Sequence, residues 1–185
     1  MRPKRPFDHP HEGLHEVDWS EFAEVCKRLA LEIERGGGCD AVVGIGKGGA
    51  LVGAALAAIL RRDFFAIRLS RRHAGEMTPR TTRVTMPPSR EVAGRHVLLC
   101  DDLSVTGETF KIALLELRRA EAARVTTLAL AAHVHDTSFR PDLCGLLSNE
   151  AFVFPWDREV LVDGEFRLHP DIEKGLAAQG IERTR

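Results

Sequence analysis

The stretch His96-Val97-Leu98-Leu99-Cys100-Asp101-Asp102-Leu103-Ser104-Val105-Thr106-Gly107-Glu108-Thr109-Phe110 decides how this chain folds. Val97 to Cys100 is a continuous apolar run without polar alternation, the pattern of a strand covered on both faces in a parallel sheet. Asp101 and Asp102 are then expected at its carboxyl end, where open α/β sheets place their ligands. Val105 to Thr109 follows with a glycine for tight curvature, two hydroxyls, and the amides that open a helix over about Thr109 to Arg119. A helix start suits an anion, because amides lacking intrahelical partners and the helix dipole face the same point. The two carboxylates, one residue apart, are expected on different sides of the chain. That arrangement suits two sugar hydroxyls, or a hydroxyl and a metal, better than a shared proton. Strand, acids and loop in this order describe a sugar-phosphate site.

A second glycine-rich turn lies upstream. Ala41-Val42-Val43-Gly44-Ile45-Gly46-Lys47-Gly48-Gly49-Ala50-Leu51-Val52-Gly53 reads as a strand over Ala41 to Ile45, a glycine loop, and an apolar helix over Leu51 to Leu60. The glycines let the backbone approach an anion closely and adopt unusual dihedrals. Lysine occurs at only five positions, Lys4, Lys27, Lys47, Lys111 and Lys174, in a chain that otherwise uses arginine, so Lys47 inside this loop stands out. The same residues also satisfy the dinucleotide pattern Gly44-x-Gly46-x-x-Gly49, with Asp63 near the distance of a ribose-binding acid. That alternative leaves Asp101 to Thr109 unexplained, and Asp63 begins the next strand in its own right.

The segment from His96 to Phe110 resembles the motif of type I phosphoribosyltransferases, which use 5-phosphoribosyl 1-pyrophosphate (PRPP). That motif is a hydrophobic run, an acidic pair, then a Thr-Gly-x-Thr loop. The resemblance implies that Asp101 and Asp102 hold the ribose hydroxyls and Mg2+. It implies that Ser104, Val105, Thr106, Gly107, Glu108 and Thr109 form the 5-phosphate loop. Gly46, Lys47, Gly48 and Gly49 are similar to the family's pyrophosphate loop. The fold so implied is a three-layer α/β domain whose central, mainly parallel sheet is flanked by helices and carries a small hood.

Composition bounds what else the chain can be. Its 185 residues are enough for one domain with a full sheet between helices. A net charge of -1 gives no global reason to expect nucleic acid or an acidic membrane as partner. Cys26, Cys39, Cys100 and Cys144 have no metal-ligand spacing and read as small buried hydrophobes in a reducing compartment. No apolar stretch is long enough to span a bilayer, and no secretory leader pattern is seen, so the cytosol is the expected location.

Along the chain, residues 1–16 are rich in Pro and His and read as a flexible arm, with residues 17–185 as a single domain. His9, His11 and His15 lie in that arm. Asp18 is an N-cap with Glu21 three residues on, and Phe22, Val25, Leu29 and Ile33 recur at helical spacing up to Gly36-Gly37-Gly38. Further strands are expected over Phe64 to Ser70 and Val125 to Ala132, and alternation of strand and helix means a parallel sheet. Residues 71–90 hold Arg71, Arg72, Arg80, Arg83 and Arg90 without an apolar period and read as a functional loop or a solvated hairpin; the resemblance implies a hood there that closes over PRPP.

Asn149 to Asp157 resembles the base-recognition segment of the xanthine-guanine and hypoxanthine branch of that family, within a second hood over about 133–160. Phe152 matches the aromatic that stacks on the base, Val153 the neighbour whose backbone reads the ring edge, and His133 the position of a base-contacting lysine. Where purine-using relatives carry an aspartate that handles a ring proton, this chain has Val105, which cannot transfer one. His133 and His135 offer titratable imidazoles at a strand end. The expected activity is transfer of the 5-phosphoribosyl group from PRPP to a purine-like base with Mg2+, in a homo-oligomer. A PRPP-binding regulator with the same fold is the other class of function.

Overall fold

The computed structural model describes residues 10–70, 72–73, 76–77, 83–134 and 139–182. Twelve strands and five helices follow one another among these residues. They are β1 (Leu14–Glu16), α1 (Trp19–Arg35), β2 (Ala41–Ile45), α2 (Gly48–Leu60), β3 (Asp63–Ser70), β4 (Arg72–His73), β5 (Glu76–Met77) and β6 (Arg83–Met86). After a 3-10 turn at Arg90–Val92 come β7 (His96–Ser104), α3 (Glu108–Arg119), β8 (Arg124–Ala132), β9 (Leu143–Leu147) and β10 (Ala151–Val153). The chain closes with α4 (Pro155–Arg158), β11 (Val160–Val162), β12 (Glu165–Arg167) and α5 (Pro170–Ala178).

A six-stranded sheet in the order β6-β3-β2-β7-β8-β9 forms the middle layer. All its pairings are parallel except β3 with β6. Apolar side chains on both faces of β2 and β7 explain why these strands are central: Val42, Leu98 and Cys100 pack with Leu29, Leu56 and Leu128 on one side. Val43, Val97 and Leu99 pack with Phe110, Ala113 and Leu117 on the other. Helices α1 and α2 therefore cover one face and α3 the other, the three-layer arrangement expected from the sequence.

The long amphipathic helix α1 starts where Asp18 Oδ1 accepts from the Glu21 amide at 2.8 Å, as the capping pattern predicted. Its buried stripe of Phe22, Val25, Cys26, Leu29, Ala30 and Ile33 lies on the sheet, each large side chain contributing about 1.5–3 kcal/mol of burial. The neighbouring edge strand β9 was not expected from sequence. Gly145 lets α1 come close to it, since a Cβ there would lie 2.5 Å from Val25 Cγ1 and 2.6 Å from the Leu130 carbonyl.

Three expectations are revised by the structure. Residues 10–16 are not a loose arm. Strand β1 pairs in parallel with β10, Glu12 N–H donates to the Asn149 carbonyl at 3.2 Å, and Val17 N–H to the Val153 carbonyl at 2.9 Å. The backbone of this segment thus finds partners, while Leu14 packs beside Ala151, Val153, Ile172 and Leu176 in a small separate core. Residues 1–9 lie outside the described residues.

Secondly, β7 does not end at Cys100 but runs on through Ser104, because β8 is equally long and its small alanines pair along it, Asp101 with Ala129 and Ser104 with Ala132. The acidic pair is thus inside the strand's last turn of pairing, not beyond it. Thirdly, α2 begins within the glycine loop at Gly48 rather than at Leu51. In the 71–90 segment, β6 returns antiparallel to β3 and β4 pairs with β5, forming a hairpin extension. Arg71 and Arg80 lie outside the described residues.

Candidate active site

Both loops singled out in the sequence meet at the carboxyl ends of β2 and β7. These strands are hydrogen-bonded neighbours, with Gly44 opposite Cys100. The loop after β2 turns at Gly46, whose φ of +62° favours glycine and whose Cα faces open space. Gly46 N–H is held by the Ile67 carbonyl at 2.8 Å. Helix α2 then starts with no acidic residue and no side-chain cap, and its first intrahelical bond runs from Leu51 N–H to the Lys47 carbonyl. The amides of Gly48, Gly49 and Ala50 therefore form an uncapped positive helix end. Lys47 is exposed beside them.

The acidic pair closes the other side of this cradle. A Cβ on Gly48 would fall 1.7 Å from Asp102 Oδ2, and one on Gly49 would fall 2.5 Å from the Cys100 carbonyl and 3.0 Å from Asp101 Oδ1. The carboxylates lean on successive glycines of the loop. Asp101 Oδ1 accepts from the Asp102 amide at 3.0 Å, and Asp102 Oδ1 from the Leu103 amide at 2.9 Å. Asp101 is buried, and its pKa is raised well above the ordinary carboxylate value by desolvation, then by the charge of Asp102 and a hydrogen bond to that side chain. The two carboxylates thus lean on successive residues of one loop, and the charge of Asp102 acts on Asp101.

On the far side of β7, the second loop runs Val105-Thr106-Gly107 into α3. Gly107 sits at φ +69° as the helix's N-terminal cap residue, and a Cβ there would meet Phe139 Cβ at 2.3 Å. Phe139 stacks on Phe110 with centroids 5.3 Å apart, so an aromatic plate lies against the loop. No sequence period pointed to Phe139. Glu108, at the first turn of α3, is ion-paired with Lys111 at 2.8 Å, which offsets its charge at the positive end of the helix dipole. The buried Ser104 hydroxyl has no hydrogen-bond partner among the described residues.

The base-recognition candidates sit at the ends of the next strands. His133 directly follows β8, and its N–H donates to the Ser104 carbonyl at 3.1 Å. Phe152 does not offer a bare stacking face: it is 3% exposed. Its ring lies against His15 at 5.4 Å, His133 at 6.1 Å and Phe154 at 6.2 Å. Val153 is buried too, with its carbonyl accepting from Val17. The ladder continues through Trp156, 5.1 Å from Phe154, to Trp19 and Phe22 of α1. Residues 135–138, and with them His135, lie outside the described residues.

Asp63 takes no part in this site. It opens β3 opposite Ala41, at the amino end of the sheet, and is bonded to Arg95 at 2.7 Å. The dinucleotide alternative needs an acid at the carboxyl end, and the geometry puts it at the wrong one.

Among the described residues, no group of three or more His, Cys, Asp or Glu is placed to hold a metal. Two adjacent carboxylates nevertheless suit Mg2+, which takes hard oxygen donors and keeps several positions for water and substrate oxygens. No helix is long and apolar enough to cross a membrane.

Comparison with known proteins agrees with this geometry. A search of the curated proteins found no match. Among solved structures, a purine phosphoribosyltransferase from Pyrococcus horikoshii is similar at a TM-score of 0.71 and 22% identity, over 82% of this chain and 99% of that one. A Neisseria gonorrhoeae hypothetical protein with bound ppGpp is similar at 0.69 and 21%, over 93% of this chain and 99% of that one. A Helicobacter pylori xanthine-guanine-hypoxanthine phosphoribosyltransferase is similar at 0.59 and 16%, over 77% of this chain and 92% of that one. At these identities the likeness establishes the shared fold. The family model for the phosphoribosyl transferase domain spans residues 17–162, from the end of the N-terminal strap through both loops and the base-end strands, and the chain belongs to that family.

Proposed function

We propose that this phosphoribosyltransferase moves the 5-phosphoribosyl group of PRPP onto a nitrogen of a purine-like base, releasing pyrophosphate, in the cytoplasm and as a homo-oligomer. The observation that carries the reading is the contact of Gly48 and Gly49 with Asp102 and Asp101, which joins the two loops into one cradle. A ligand there meets an uncapped helix end and two carboxylates at once. The amides of Gly46 to Gly49 and the Lys47 ammonium hold the pyrophosphate, and Asp101 and Asp102 hold the ribose hydroxyls. Ser104 to Thr109 wrap the 5-phosphate at the start of α3. Displacement at the sugar carbon builds positive charge on the ribose ring and negative charge on the leaving oxygens, so positioning and fixed dipoles supply most of the catalysis. Mg2+, held by Asp101 and Asp102, would neutralise the leaving group's charge.

At the base end, His133 faces the acceptor and Phe152 backs its ring, while β10 supplies Val153. The Pyrococcus and Helicobacter neighbours are named as purine enzymes, which favours a purine acceptor. A second reading, a PRPP- or nucleotide-binding regulator, is favoured by the apolar Val105 in the loop, and the Neisseria neighbour was solved with ppGpp.

The deciding experiment measures pyrophosphate release from PRPP and Mg2+ with hypoxanthine, guanine and xanthine, beside calorimetric PRPP binding. Turnover with any of the three is expected. Asp102→Asn should weaken Mg2+-dependent PRPP binding by about 10-fold or more, in line with about 1.5–3 kcal/mol for a charged hydrogen bond. PRPP binding without turnover selects the regulator, and no PRPP binding defeats the transferase reading and leaves only a nucleotide-binding regulator.

A further inference from the structure

Transfer to a neutral ring nitrogen liberates a proton. The nitrogen lone pair bonds to the sugar carbon, the carbon–oxygen bond to pyrophosphate breaks with its electron pair leaving on pyrophosphate, and the N–H proton must reach a base. The inference that follows rests on the transferase reading above. In that reading Asp101 and Asp102 are engaged by ribose and metal, Glu108 is paired with Lys111 at 2.8 Å, and Val105 is a buried hydrocarbon. Among the described residues, the imidazole of His133 is a neighbouring side chain able to accept that proton.

Its placement is built rather than incidental. His133 is 9% exposed and tied through its backbone N–H to the Ser104 carbonyl, so its backbone stands beside the Ser104-Val105 turn. Phe152 lies nearly parallel to it at 24°, and the His11 ring meets it edge-on at 5.0 Å and 75°. His11 is itself fixed: Gln179 Oε1, just beyond α5, accepts from both its backbone N–H at 3.1 Å and its Nδ1 at 2.8 Å. Those two hydrogen bonds to one accepting oxygen place the His11 Nδ1 proton toward Gln179. The buried Ser104 hydroxyl, unpartnered among the described residues, supplies a second polar atom at the same strand ends.

We infer that His133 takes the acceptor's proton, that His11 is a positioning residue for it, and that the acceptor enters as a neutral N–H heterocycle. Among the described residues, the titratable group packed directly against this imidazole is His11 on the strap. Beyond Phe152 stands His15, which is paired with Glu21 of α1 at 2.8 Å and faces Glu150 at 3.8 Å.

The test uses the full chain with PRPP, Mg2+ and hypoxanthine, guanine or xanthine, following kcat/KM from about pH 5.5 to 9 on either side of the imidazole range. His133→Gln is expected to lose about 10²–10⁴-fold in kcat/KM and to lose the acid limb of the profile, with PRPP affinity kept. His11→Gln should lower kcat and move the acid limb while leaving the KM for PRPP unchanged. Should His133→Gln misfold, visible as lost PRPP binding, His133→Asn makes the same comparison. A folded His133 variant with wild-type kcat/KM and an intact acid limb overturns the inference alone. An unmoved limb in His11→Gln overturns the positioning role. Wild-type protein that releases no pyrophosphate with any of the three bases overturns the transferase reading and this inference with it.

Discussion

Gly48 and Gly49 are small because of what lies behind them, not because of their dihedrals. Of the loop glycines only Gly46 has a positive φ, whereas side chains at 48 and 49 would run into the acidic pair. The consequence falls on Asp101, pressed against the loop and taken out of water. Its folded pKa lies well above the ordinary value of 3.8, through burial first and then the neighbouring Asp102 charge. The folded state therefore keeps a proton that the unfolded chain has released, so stability declines as pH rises above about 4 and goes on declining until Asp101 ionises. Asp101→Asn removes that dependence. Thermal melts should show it more stable than wild type at pH 7–8 and level with it near pH 4, while PRPP binding is lost. A wild-type melting temperature that climbs steadily from pH 5 to 8, with no gain in the variant, would contradict the burial argument. Cys26 shows the same physics in a harmless place: burial raises its thiol to about 11, leaving it inert.

Among the elements, the strap formed by β1 differs most from what its sequence suggests. Leu14-His15-Glu16 is three residues long, too short for any period, and the prolines and histidines before it imitate a solvated arm. What fixes it is long-range pairing with β10, which no local pattern encodes. A chain shortened to begin at Val17 would bare the β10 edge and uncover Ala151, Val153, Ile172 and Leu176. Urea denaturation should show a loss of about 2–4 kcal/mol, whereas removal of a free arm would leave the midpoint unchanged. The contrast with α1, β2, β7 and β8 is instructive. Those elements carry a cap, a helical stripe or an unbroken apolar run, and their existence was readable from Asp18, Val42 or Leu98 alone. The cradle's residues were readable for the same reason, since loops at the carboxyl ends of such strands face one another. Unreadable were Phe139 over Gly107, the histidines packed on Phe152, and β9, because each depends on a partner distant in sequence.

For the molecule as a whole, α2 carries a charge-free run from Gly48 to Leu60 although only one of its faces meets the sheet. Val52, Gly53, Leu56, Ala57 and Leu60 point inward. On its outer side Leu51 is 41% and Ile59 46% exposed, and Phe64 of β3, packed beside Gly53, is 38% exposed. A surface helix normally turns a charged face to water, and one that is apolar all round is normally covered on both sides. A second copy of the chain is the cover that the proposed homo-oligomer supplies, and it would sit against the very helix whose amino end forms the proposed pyrophosphate cradle. The wild-type protein should therefore sediment as a dimer or larger at micromolar concentration. Leu51→Glu combined with Ile59→Glu, which places two charges on the apolar face and leaves the inward residues untouched, should sediment as a folded monomer. A wild-type protein that is monomeric at those concentrations, or a double variant that still associates, would show that this face is not the contact. If association also stiffens the first turn of α2, the monomeric variant will bind PRPP more weakly even though neither substitution touches a cradle residue.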